Sequence, residues 1–70
     1  MTSYQEGLYI AANVLLRVCG SDSGEWWIDL VYVQGAGAEP LLLNRLPLPA
    51  GAAALGNVAA LLSRAAEVAQ

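Results

Sequence analysis

Apolar and polar positions alternate most regularly between residues 8 and 19. There the even positions Leu8, Ile10, Ala12, Val14, Leu16 and Val18 are all apolar, while Asn13 and Arg17 fall on the odd positions. A period of two predicts a strand with one buried face. The same residues also fit a helix, because Ser3 and Glu6 have capping-box spacing, Asn13 and Arg17 lie one turn apart, and Gly20 offers a terminus. The next stretch decides in favour of the strand. Residues 20–24, Gly-Ser-Asp-Ser-Gly, are a turn cluster standing between two apolar runs, which is the pattern of a β-hairpin.

The second run, residues 25–34 (EWWIDLVYVQ), carries both tryptophans of the chain and is rich in branched and aromatic side chains, so it reads as a strand. Trp26, Ile28, Leu30 and Tyr32 share one face; Trp27, Val31 and Val33 share the other with Glu25 and Asp29. Apolar residues on both faces mark a strand inside a sheet. Matching the apolar even faces pairs Val18 with Trp26, Leu16 with Ile28 and Val14 with Leu30, and sets Arg17 on the Trp27 ring. A shift of two residues would place Arg17 opposite Glu25 instead.

Residues 35–40 (GAGAEP) predict a second turn, and residues 41–48 (LLLNRLPL) a short third strand. Pro47 and Pro49 lack the amide hydrogen a ladder needs, so this strand belongs at an edge. From residue 52 to 69 the period becomes helical. Leu55, Val58, Ala59, Leu62, Ala66 and Ala69 form one stripe, widened by Leu61, Ala65 and Val68, with Asn57, Ser63, Arg64 and Glu67 opposite. Residues 1–6 are polar and predict a frayed start. The resulting expectation is a single α+β domain over residues 1–70. It consists of a three-stranded antiparallel meander followed by one C-terminal helix packed on one sheet face, with Trp26 in the core beneath it.

Composition sharpens this picture. The chain is 57% hydrophobic and only 13% charged, against about 25% charged in a typical soluble domain. A domain of 70 residues has a high ratio of surface to volume and should need more charge, not less. Cover by another chain resolves the conflict, although alanine, which surfaces tolerate, supplies much of the apolar count.

Charge then excludes some functions. The net charge is −3 and the only basic side chains, Arg17, Arg45 and Arg64, are scattered, so there is no stripe to neutralise phosphates and no direct nucleic-acid partner is expected. Residues 46–63 are uncharged, but Pro47, Pro49, Gly51, Gly56 and Asn57 within them argue against a membrane span. Glu6 stands where a signal peptide would carry a basic residue, and the lone Cys19 suits a reducing compartment, so a cytoplasmic protein is expected.

Candidate chemistry is sparse. There is no histidine, and no serine or cysteine has an activating base nearby in sequence, so no enzyme is expected. Asp22, Glu25 and Asp29 do not have calcium-loop spacing and read as a solvated turn with flanking acids; Gly35 and Gly37 are followed by no lysine or helix that would make a phosphate cradle. No metal or cofactor is implied. Adjacent strand residues point to opposite faces, so if Trp26 is core, Trp27 joins Leu15, Val31 and Val33 in an apolar patch on the open face, with Arg17 and Asp29 at its margin. This patch is the expected protein-binding site. The leading expectation is a non-enzymatic module that binds a protein partner stoichiometrically, for instance a phage or mobile-element inhibitor of host machinery. The alternative is a structural subunit of a homo-oligomeric phage or cellular assembly, a homodimer or larger, whose apolar faces meet copies of itself.

Overall fold

A computed structural model describes residues 2–70. Four strands, β1 (Thr2–Ala11), β2 (Val14–Ser21), β3 (Trp26–Tyr32) and β4 (Leu41–Pro47), form one antiparallel sheet in the order β1-β2-β3-β4. The helix α1 (Ala52–Ala69) follows. The class is α+β and the helix has the expected bounds.

The sheet has four strands rather than three. Residues 2–6 belong to β1 instead of fraying, and residues 8–19 are not one strand but two, reversed at Ala12 and Asn13. A bulge hides this reversal. Tyr9 pairs with Leu15 but Ala11 pairs with Val14, so one extra residue, Ile10, is accommodated on β1. That extra residue restores even-with-even pairing, and Leu8 faces Leu16. Alternation therefore continues unbroken through the reversal, and the period of two conceals it.

The β2–β3 register also differs from expectation. Val18 pairs with Ile28, Leu16 with Leu30, and Gly20 with Trp26, which sets Arg17 opposite Asp29 rather than Trp27 or Glu25. Sterics explain the choice. A Cβ on Gly20 would lie 3.0 Å from the Trp26 ring, so only glycine lets this indole lie across β2. The turn closes tightly as well: the Ser21 amide donates to the Glu25 carbonyl at 2.8 Å, and Gly24 supplies a φ of 87°. β4 is an edge strand as expected, with its own bulge where Leu30 pairs with Asn44 but Val31 with Leu42.

After β4 the chain turns sharply. The Leu48 amide donates to the Trp26 carbonyl at 2.9 Å, the Gly51 amide donates to the Leu48 carbonyl at 2.9 Å, and Gly51 takes a φ of 62°. This turn sets the start of α1 beside Trp26 and directs the remainder away from the sheet. Ala54, Leu55 and Val58 are half-buried, residues 59–69 are exposed, and no residue of α1 is buried. Within one chain, then, the helix does not pack on a sheet face as expected beyond its first turns. The apolar residues buried in a single chain, among those described, are Cys19, Val31 and Leu48; Trp26 is only half-buried. The radius of gyration is 13.5 Å, against about 11 Å for a compact chain of this length.

Candidate functional site

The odd face of the sheet is organised around Asp29, whose side chain has no exposed surface. Antiparallel pairing puts Arg17 on one side of it and Arg45 on the other. Arg45 donates from Nε to Oδ1 at 2.7 Å and from Nη2 to Oδ2 at 3.0 Å, and Arg17 donates from Nη2 to Oδ2 at 3.2 Å. The Arg45 guanidinium also lies over Trp27, with Cζ 5.2 Å from the ring centroid. Hydrogen bonds from Arg45 hold the Asp29 carboxyl below its ordinary pKa; burial opposes this, and Arg17 adds to the lowering.

This arrangement is poor catalytic equipment. A carboxylate held ionised by two guanidinium groups is a weak base with its lone pairs engaged. The Cys19 thiol is buried, 4.0 Å from Asp29 Oδ2. Asp22 and Glu25 are kept apart from Asp29 in the β2–β3 turn, where the Ser23 hydroxyl donates to Glu25 Oε1 at 3.1 Å. Among the described residues no cluster of histidine, cysteine or carboxylate side chains is arranged to hold a metal ion, and no helix is long and apolar enough to cross a membrane.

The residues expected to bind a partner share this face, with altered roles. Leu15 lies directly opposite Val31, and Arg17 opposite Asp29. Val31 and Asp29 are buried within the chain itself, whereas Leu15, Arg17, Trp27 and Val33 are half-buried. Arg17 and Asp29 thus form the centre of the face, not its margin. Arg45 completes the cluster and was missing from the expected set, because the register of β4 is not legible from LLLNRLPL. The indole Nε1 of Trp27 and the Nε of Arg17 are buried without a hydrogen-bond partner among the described residues.

The even face holds a second candidate. Tyr4, Leu8, Leu16, Val18, Trp26 and Leu55 line an open apolar cleft of about 660 Å³ between the sheet and the first turns of α1. Tyr4 packs against Trp26 with ring centroids 5.5 Å apart, and its hydroxyl donates to Glu6, the one charged residue of the lining among those described. Beyond this cleft the apolar stripe of α1 is bare: Leu61 and Leu62 are 58% and 57% exposed and Val68 86%. The sequence shows that stripe clearly, but β1 was needed to complete the surface facing it.

Comparison with protein-family models, with curated proteins and with solved structures finds no match for this chain, so its own geometry carries the functional reading.

Proposed function

We propose that this chain is a non-catalytic protein-binding module whose working unit is an assembly of its own copies. One observation carries the reading. The chain exposes 5173 Å², whereas a compact monomer of its mass exposes about 4,200 Å². The excess is about 1,000 Å² per chain, and if each of two copies covered it on the other, about 2,000 Å² would be buried in total. Interfaces of that size are stable, and the obligate ones resemble a hydrophobic core cut in two. The scarcity of charge, 13% of residues, supports the same reading. Free, buried Cys19 suits a reducing compartment such as the cytoplasm.

Light scattering coupled to size exclusion tests the proposal. The expected result is a multiple of the 7.3 kDa chain mass at micromolar concentration. A well-folded monomer would overturn it.

The second reading is stoichiometric capture of a foreign protein, such as the target of a phage or mobile-element inhibitor. It is favoured by the unpaired edge of β4, where Leu41, Leu42, Leu43 and Leu46 are exposed beside Trp27 and Arg45 of the odd face. In that case the chain sediments as a monomer, and Trp27→Ala weakens capture more than it weakens the fold.

A further inference from the structure

We infer that two copies exchange helices, the α1 of each lying along the even-face cleft of the other about a two-fold axis. This rests on the self-assembly reading and names the element that carries it. The first argument is that the cleft is half a core. One wall is the sheet surface of Tyr4, Leu8, Leu16, Val18 and Trp26; the other is only the beginning of a helix whose apolar stripe continues, bare, through Leu61, Leu62 and Val68.

The second argument is that the chain's own helix leaves the cleft open beyond its first turns. The turn into α1 is held by two backbone hydrogen bonds, Leu48 to Trp26 and Gly51 to Leu48, with Gly51 in the left-handed region. With this turn the chain's own α1 lines the cleft only through Leu55, and residues 59–69 are left exposed. A second copy presents the same stripe and the same cleft, which is the self-complementarity a two-fold interface needs.

Dimensions and chemistry agree. Eighteen helical residues span about 27 Å, and the strands of seven to ten residues span about 23–34 Å. Arg64 and Glu67 are the only charges on α1, both outside the stripe, and Glu6 is the only charge in the cleft lining among the described residues, so apolar surface meets apolar surface. Gly56 has nothing within 4 Å of where a Cβ would stand. Gly56 lies in line with Ser63 and Glu67, on the side of α1 away from the stripe, so it takes no part in this contact.

Two experiments test helix exchange. In sedimentation, Leu62→Glu on α1 should shift the assembly toward smaller species at least tenfold in concentration, while Leu42→Glu on the β4 edge should leave it assembled. The second is a mixture of one chain carrying Leu8→Cys and one carrying Leu62→Cys, with tags of different mass, under mild oxidation. A disulfide-linked pair containing one of each is expected, and it reads the juxtaposition even if Leu62→Glu unfolds the chain. Wild-type monomer would defeat the self-assembly reading and helix exchange with it. An intact assembly that forms no mixed cross-link, and that dissociates with Leu42→Glu rather than Leu62→Glu, would overturn helix exchange and leave self-assembly standing.

Discussion

Asp29 on β3 and Arg45 on β4 face each other across the outer strand pair, joined by two hydrogen bonds of 2.7 and 3.0 Å. The carboxylate is fully buried while the side chain of Arg45 is 52% exposed. The pair therefore anchors an edge strand from its buried end.

Removing the buried partner is expected to be costly. Asp29→Ala leaves Arg17 and Arg45 confronting each other with no counter-charge, and breaking a buried pair from one side costs about 3–5 kcal/mol. Partial exposure of both arginines places the expected loss at the lower end of that range. Urea denaturation measures it; an unchanged midpoint would show that solvent replaces the pair without loss.

Acid should reveal the same group. The folded-state pKa of Asp29 lies below its ordinary value of 3.8, chiefly through hydrogen bonds from Arg45. A depressed carboxyl pKa stabilises the fold fully above the unfolded value, and that stabilisation is lost as pH falls through the folded value. The melting-temperature difference between wild type and Asp29→Asn is therefore expected to be constant at neutral pH and to narrow below about pH 4. A gap that persists unchanged to the lowest accessible pH would show that the charge of Asp29 is irrelevant to the difference.

Glycine at two sheet positions is a packing requirement. A Cβ at Gly7 would stand 2.8 Å from the backbone oxygen of Leu16, and one at Gly20 would stand 3.0 Å from the Trp26 ring. Overpacking of this kind costs about 1–3 kcal/mol. Gly7→Ala is expected to be the worse of the two, since a backbone atom yields less readily than a side chain. Equal and negligible effects in thermal melts would contradict both contacts.

The two tryptophans should separate in their effects. Trp26 joins Tyr4, Gly20 and the start of α1, so Trp26→Ala is expected to cost about 2–3 kcal/mol, below the range for a fully buried tryptophan, and to loosen assembly. Trp27→Ala removes the surface under Arg45 and is expected to lower stability without changing the mass measured by scattering. Dissociation by Trp27→Ala but not Trp26→Ala would shift the interface to the odd face.

Buried Cys19 is expected to act as packing. Cys19→Ser should leave the mass measured by scattering unchanged, with and without reductant. A mass that depends on reductant in the wild type would make the thiol part of the assembly.

Much of the fold was legible because its signals are local. The helix declares its bounds by a change of period at Ala52, and the prolines of β4 mark an edge. The reversal at Ala12 and Asn13 escaped because the bulge at Ile10 preserves parity across it. The β2–β3 register escaped because apolar faces match equally well after a shift of two residues. The discriminating features are the fit of Trp26 on Gly20 and the Arg17–Asp29 pair, both of which act across strands. For the proposed binding surface, the sequence displays an amphipathic helix but does not show that, after the turn at Gly51, no residue of it is buried in its own chain.

The strand order β1-β2-β3-β4 has a kinetic consequence. Each strand pairs only with its neighbours along the chain, so the sheet closes through short loops, the kind of contact that forms fastest. In the helix-exchanged pair we propose, burial of α1 is instead a bimolecular event whose rate scales with chain concentration. Refolding is thus expected in two regimes: a rapid phase independent of concentration as the hairpins zip, and a slower one that lengthens on dilution. A freshly made chain at low abundance would spend its first moments as a zipped sheet trailing a bare apolar helix, and its vulnerability to proteolysis and miscapture would be set by how often it meets its own kind.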